Sequence, residues 1–431
     1  MIATLSVFHP LAVLLALGAV VFLLLTFHFP IFGIAAIIFA STLGEFGRVE
    51  LAGISFLASD FIALVVLGVY FLRKLIHKER CIFDWVSGSL LAFWGIGILS
   101  LFVGSLDLSF AELKFSILYF LRFVGISGLL LVARDLGKKN SFLASNILIL
   151  SGILLAAAGF VLLKLIPDFA EAGLADLGWD PHIGRLTSTF LDPNFAGGAF
   201  AFLLAILGGR FLREKRIPQQ SLILGICGVL GVALLLTFSR SALLALGVSG
   251  LVLGIFGDRR ILLAMLVVGF LGFGISPRLQ ERVGEFAKSV DSISGESQQV
   301  LDPTAQLRVD SWREGLRIWQ KNPIFGVGFG AYKFHQSFSD EDSHAVSGSD
   351  SSLLNIAATT GFLGLGVFCI FLWNLVLVAF RKAEWGFLAA LAGLLVHSIF
   401  VNSLFFPPIA LLFFVSAGLV TRNMQKNRPF G

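Results

Sequence analysis

Apolar runs fill most of this chain, and one long stretch interrupts them. From Ile275 to Ser351 the sequence turns polar; from Ser352 it turns apolar again. A helix needs about 20 consecutive apolar residues to cross a bilayer. Runs near that length predict helices at 11–27, 30–43, 56–72, 85–104, 114–133, 143–165, 194–212, 219–237, 240–256, 260–275, 352–380, 385–402 and 404–421. The first two are short and crowded, so a count of 12 spans fits as well as 13.

Inside the polar island, Leu307, Trp312, Leu316 and Trp319 recur at helical spacing and predict an amphipathic helix over 305–321. Such a helix lies on a membrane surface or caps a cavity. Asn322-Pro323 ends it, because a residue before proline is pushed out of the helical region. Gly326, Gly328 and Gly330 follow as a turn suited to close backbone approach.

The short connecting segments sort by charge. Basic residues gather at 73–80, 134–139, 210–216, 258–260, Arg381-Lys382 and 422–428, and the positive-inside rule predicts that these face the cytosol. The alternate set then lies outside: 44–55, 105–113, 167–193, the tight turn at Ser239-Arg240, and the island. The island is too long for its own charges to set its side.

Composition strengthens this reading. Hydrophobic residues make up 57% of the chain and charged residues 14%, with a mean hydropathy of +0.90. A soluble domain carries about 25% charged residues. The expected class is an all-α polytopic membrane protein with about 12 transmembrane helices and a large extracytoplasmic loop. Residues 1–276 are expected to form an N-terminal bundle, 277–350 the loop and 351–431 the C-terminal helices of one integrated domain. The first apolar run continues into a second without a small-residue cleavage site, so no cleavable signal is expected. Three cysteines, Cys81, Cys227 and Cys369, are scattered without disulfide or metal-ligand spacing. The net charge of +5 suits basic cytosolic loops and gives no reason to expect nucleic acid as a partner.

Few polar residues are placed for chemistry. Arg240 sits between two spans with almost no loop, where a guanidinium is costly in lipid and calls for an anion. It is either a bidentate phosphate clamp or a side chain that snorkels to the interface. Arg308 opens the amphipathic helix, near N–H groups that favour anions, or is simply a solvated surface residue. Arg313 and Arg317 lie further along the same helix; Arg313 and Trp312 are counted as substrate-binding candidates. Asp350 and His344 stand before the next span, where either fits a general base for a sugar hydroxyl. Asp350 equally suits a helix N-cap, and His344 a loop histidine. Arg122 lies inside the fifth span and Arg185 in the segment before Pro193; both are candidates to help hold a diphosphate. Asp60, Lys164, His397 and Asn402 are expected to make interhelical contacts.

Five stretches, in this order, resemble the O-antigen ligase and O-antigen polymerase superfamily of bacterial membrane glycosyltransferases. They are TSTFLDPNFAGGAFAFLLAI (187–206), TFSRSALLAL (237–246), RVDSWREGLRIWQKNPIFGVGFGAY (308–332), DSSLLNIAATTGFLGLG (350–366) and LVHSIFVNSLFFPPIALLFFVSAGLV (395–420). The resemblance covers roughly residues 185–420; the first 180 match only in hydropathy. It implies a GT-C-like, multi-span enzyme on the outer face of the cytoplasmic membrane, with a cytosolic C-terminus. Such an enzyme takes a glycan from undecaprenyl diphosphate and passes it to a glycan or lipid-linked acceptor, with no nucleotide sugar, cofactor or metal. Membrane lipids, and a chain-length regulator protein, are the further partners it suggests.

In the ligases of that family an arginine of the short outer turn matches Arg240, and a second matches Arg308. Their proposed base is a histidine before the span that ends in G-x-x-G. Here that position holds Asp350, followed by Ser351, which departs from the ligase pattern and tilts the expectation towards a polymerase. His344 takes the role only if the loop folds back. O-antigen ligase, protein O-oligosaccharyltransferase and, from a different class, a multi-span transporter are the alternatives; a transporter would be expected to show paired repeats and midplane charges.

Overall fold

The computed structural model describes residues 10–51, 54–79, 83–275, 303–337 and 348–422, together with Gln280 and Gly284. Helices α1 (Pro10–His28) and α2 (Pro30–Thr42) lead into a hairpin of β1 (Arg48–Leu51) and β2 (Ile54–Leu57), antiparallel with Arg48 opposite Leu57. There follow α3 (Ala58–Ile76), α4 (Trp85–Gly104), α5 (Phe110–Arg134), α6 (Lys138–Leu165), α7 (Pro193–Arg213), α8 (Ile217–Leu236), α9 (Arg240–Phe256) and α10 (Arg260–Ile275). The island supplies α11 (Pro303–Lys321), and α12 (Ser352–Arg381), α13 (Trp385–Phe400) and α14 (Pro407–Thr421) close the fold. Helices α4, α5, α6, α7, α8 and α12 are long and apolar enough to cross a membrane; α1, α2, α9, α13 and α14 are shorter apolar helices.

Local chemistry explains where helix ends depart from the apolar runs. Helix α5 starts at Phe110 rather than 114, because Ser109 and Glu112 form a reciprocal capping box. Helix α14 starts at Pro407 rather than 404, since proline suits the first helical position, whose N–H needs no partner. The hairpin at 48–57 replaces an expected loop.

Helix directions follow from individual contacts. Ser249 Oγ on α9 donates to the Ala389 carbonyl on α13 at 2.9 Å, and the Gly393 backbone lies against Ala245. Numbers rise on one helix as they fall on the other, so the two are antiparallel. Arg240, at the start of α9, therefore lies at the same end of the bundle as Phe400, at the end of α13. On α7, Gly198 faces His397 and Gly209 faces Gly386, so α7 also begins at that end. The opposite end is laced by Lys74–Asp135 at 2.7 Å, Arg134–Asp84 at 3.2 Å and the Arg213–Glu384 pair.

Two features tie the island to the bundle. Phe329 is buried in an aromatic cluster, with ring centroids 5.2 Å from Phe120, 5.4 Å from Phe123 and 6.3 Å from Phe93. Such pairs contribute about 0.5–1.5 kcal/mol each beyond area burial. Helix α12 breaks at Gly361, where φ is 68° and ψ −170°. The break frees backbone groups, and the island loop takes them up: the Val327 N–H donates to the Ala358 carbonyl at 3.0 Å, Gly328 to Thr359 at 3.2 Å, and Phe362 to Pro323 at 2.8 Å. A side chain at Gly361 would meet the Ile324 carbonyl oxygen at 2.1 Å, which explains the glycine.

Candidate functional site

At the end of the bundle where α7 and α9 begin, two connected polar regions form. The first surrounds Asn194. Asp192 caps α7 through Asn194 and Phe195 N–H groups. The Asn194 side-chain oxygen accepts from Ser239 Oγ at 2.9 Å, and Ser239 caps α9, whose first residue is Arg240. Arg185 donates from Nε to the Thr237 carbonyl at 2.9 Å and reaches Asn194 Oδ1 at 3.5 Å. It thus braces the turn that presents Arg240. Two helix N-termini, each with a positive dipole end, converge here, an arrangement that favours an anion.

His397, 1% exposed, lies on the other side of Asn194. Its ring packs flat on Gly198, where a Cβ would come within 2.6 Å of Cε1. Nδ1 is 2.6 Å from Ser403 Oγ. The Arg308 guanidinium sits 6.0 Å from the ring centre of Phe400, one turn on from His397. Helix α11 is held across this end of the bundle. Trp312 donates from Nε1 to the Ile399 carbonyl at 3.1 Å and packs on Phe400, with ring centroids 5.8 Å apart. One turn from Arg308, Ser311 Oγ accepts the backbone N–H of Asp350 at 2.9 Å. Ser351 is the N-cap of α12, accepting from Leu354 N–H, so the capping role considered for Asp350 belongs to its neighbour.

The island behind α11 is locked by Glu314, which accepts from the Ser337 N–H at 2.6 Å and from Arg317 Nε at 2.7 Å. The Arg317 pair and the Ser337 bonds hold the Glu314 carboxyl below its ordinary value. Burial pushes the Tyr332 phenol up, and the nearby charges of Glu314 and Asp350 push the same way.

The second region is a cavity of about 450 Å³, within the ~300–1,000 Å³ range of small-molecule sites. Arg48, Arg122, Lys333, Glu45 and Asn402 give it polar walls; Phe115, Tyr119, Phe195, Phe405 and Phe406 give it aromatic ones. Arg122 faces buried Asp60 at 3.0 Å, and Arg48 Nε donates to Glu45 at 2.6 Å. Burial raises the Glu45 carboxyl despite Arg48. Lys333 Nζ stands 3.6 Å from the Phe115 ring centre. The two regions share segments: Asn194 faces one and Phe195 the other, and so do Ser403 and Asn402.

The structure thus brings Arg240, Arg308, Asp350, Arg122 and Arg185 to one end of the bundle. Trp312 anchors α11 rather than lining the cavity. Arg313 is on the exposed face of α11, paired with Asp310 at 3.2 Å. His344 lies outside the described residues. Lys164 is exposed. Arg48, Glu45 and Lys333 had no role in the sequence reading; a charged residue three positions after Gly330 was the available signal for Lys333. Asp180, His182 and Asp192 also place one ligand atom each within 4.8 Å of one another, a grouping of metal-ligand type that sequence spacing did not reveal. Asp192 Oδ1 is engaged there by the α7 cap. Burial holds His182 below its ordinary value, against the pull of Asp192.

Residues 223–369 match a family model described as O-antigen ligase. That span takes in Arg240, Arg308, Asp350 and Gly361, and leaves Asn194, His397 and Asn402 outside. No curated protein gives a significant match. With its apolar helices, the chain is a multi-pass membrane protein carrying an O-antigen ligase domain. That match supports a relation to the O-antigen ligase/polymerase superfamily, whose members are glycosyltransferase-like enzymes acting on lipid-linked glycans.

Proposed function

We propose that this protein transfers a glycan from undecaprenyl diphosphate to a sugar hydroxyl on the outer face of the cytoplasmic membrane, as a polymerase of surface polysaccharide. The observation that carries the reading is the shared end of the bundle: Arg240 and Arg308, from segments 68 positions apart in sequence, stand with the N-termini of α7 and α9 beside a cation-lined cavity.

In this reading the acceptor oxygen attacks the anomeric carbon as the bond to the diphosphate breaks. Arg240 and Arg308 stabilise the charge that develops on the departing diphosphate, as preorganised cations do. Arg122, paired with Asp60, lines the cavity that receives the sugars. Asp350 takes the acceptor proton or orients the hydroxyl, and a single displacement inverts the anomeric centre. His344 is the alternative base. The polyprenyl tail lies against the lipid-facing helices. With about 12 spans and the basic ends of α3, α5, α7 and α12 in the cytosol, the positive-inside rule supports a site on the outer face.

Transfer of completed chains by an O-antigen ligase is the second reading, favoured by the description of the matching family. Asp350, at the place of the ligases' histidine, favours polymerisation. Deleting the gene separates them. Loss of long chains, with single repeat units still attached to their acceptor, supports the polymerase; full-length chains stranded on the lipid carrier support the ligase. Unchanged surface polysaccharide overturns both.

A further inference from the structure

At the opposite end of the bundle, between α6, α7, α13 and α14, lies a second cavity of about 250 Å³. Among the described residues its charged lining is Lys138, Arg210, Arg213 and Arg422 against a single carboxylate, Glu384. Glu384 is taken by Arg213, through hydrogen bonds that include one of 2.9 Å. Arg210, half-buried, has neutral partners: Nη1 donates to Asn146 Oδ1 at 2.8 Å, Nη2 donates to Ser145 Oγ, and the guanidinium stands 5.9 Å from the Phe142 ring centre. Among the described residues it has no carboxylate partner. A guanidinium withdrawn from water without a counter-charge is costly and marks an anion position.

The surroundings say which anion. Ser141 and Ser145 line the same cavity, Ser145 as the acceptor from Arg210. Gly137, at the N-cap of α6, has no side-chain oxygen for the first-turn N–H groups. Phe142 beside the cavity is exposed, and so are Leu143, Leu150, Leu154 and Val161. The last four are spaced by 7, 4 and 7 residues, so they form one ridge along α6. The cavity is smaller than the ~300 Å³ at which small-molecule sites begin, enough for a headgroup whose chains stay outside.

We infer that this cavity binds the phosphate of an anionic phospholipid, with Arg210 as its principal contact and the acyl chains along the α6 ridge. This site is separate from the glycan site and is occupied whichever transfer reaction the protein performs. Basic pockets between spanning helices are suited to such headgroups.

The test titrates the detergent-solubilised full chain with phosphatidylglycerol, phosphatidylcholine or inorganic phosphate and follows its melting temperature. Phosphatidylglycerol is expected to raise it saturably, with the other two giving little change. Arg210→Gln is expected to weaken the apparent affinity for phosphatidylglycerol about tenfold, the loss of one charge-assisted contact. Arg210→Lys, which keeps charge but not the bidentate fork, covers the case in which the glutamine variant does not fold, and is expected to weaken it several-fold. Glu384→Gln is expected to tighten it. Equal responses to phosphatidylcholine, saturation by inorganic phosphate at similar concentration, or unchanged affinity in both Arg210 variants overturns the inference.

Discussion

Ser239 Oγ donates to the Asn194 side-chain oxygen at 2.9 Å, joining the first turn of α7 to the cap of the helix that begins with Arg240. This bond fixes where the Arg240 guanidinium starts. Asn194→Ala should therefore lower glycan transfer by about 5–10-fold, the worth of roughly one hydrogen bond, without unfolding the protein. Ser239→Ala also removes the α9 cap, so in the double variant the losses should fall short of additive by the one contact they share. Consumption of lipid-linked glycan by the two single variants and the double variant measures this; strictly additive losses would show independent roles.

Buried Asp60 on α3 pairs with half-buried Arg122 on α5. Removing one partner strands the other's charge, which costs about 3–5 kcal/mol. Arg122→Ala should lower the melting temperature sharply. Arg122→Met combined with Asp60→Leu, which removes both charges, should recover most of the stability. Thermal unfolding in detergent checks both, and activity is expected to stay low in the recovered pair because the cavity has lost a cation.

Glu314 sets a pH dependence with a definite sign. Its folded carboxyl titrates below the ordinary value of 4.5, so the stabilisation it brings is present above 4.5 and is lost as pH falls through the folded value. Amide protection at 335–337, measured against the intrinsic exchange rate at each pH, should be high at neutral pH and fall on acidification below about 4.5. Glu314→Gln should show low protection already at neutral pH and little further change. Protection that stays high in the variant would show that other contacts hold this segment.

Gly361→Ala places a methyl group 2.1 Å from the Ile324 carbonyl at a φ of 68°. The expected cost exceeds ~3 kcal/mol, seen as poor yield of monodisperse protein. Gly366→Ala, five residues on in open space, should gain helix propensity and behave as wild type.

Hydropathy made most helices legible, because lipid demands continuous apolar runs and helical backbones. The turn at Ser239-Arg240 and the amphipathic α11 were equally readable, one from a lone charge between apolar runs and the other from 3.6-residue spacing. Ends set by caps and prolines, such as Phe110 and Pro407, were not, since hydropathy does not register them. The site was legible only in part. Arg240 and Arg308 stood out as isolated charges, but the brace from Arg185, the imidazole of His397 on Gly198, and the Arg48–Lys333–Arg122 cavity join residues far apart in sequence. Only helix packing brings these together.

The most direct test of the diphosphate grip is the transfer rate of purified Arg308→Ala and Arg240→Ala proteins on an undecaprenyl-diphosphate-linked glycan, at melting temperatures matched to wild type. Each variant is expected to lose about 10²–10³-fold in turnover, the usual cost of removing one charge-stabilising group. Turnover at the wild-type rate in either correctly folded variant would contradict that arginine's role, and in both would leave the catalytic reading without support.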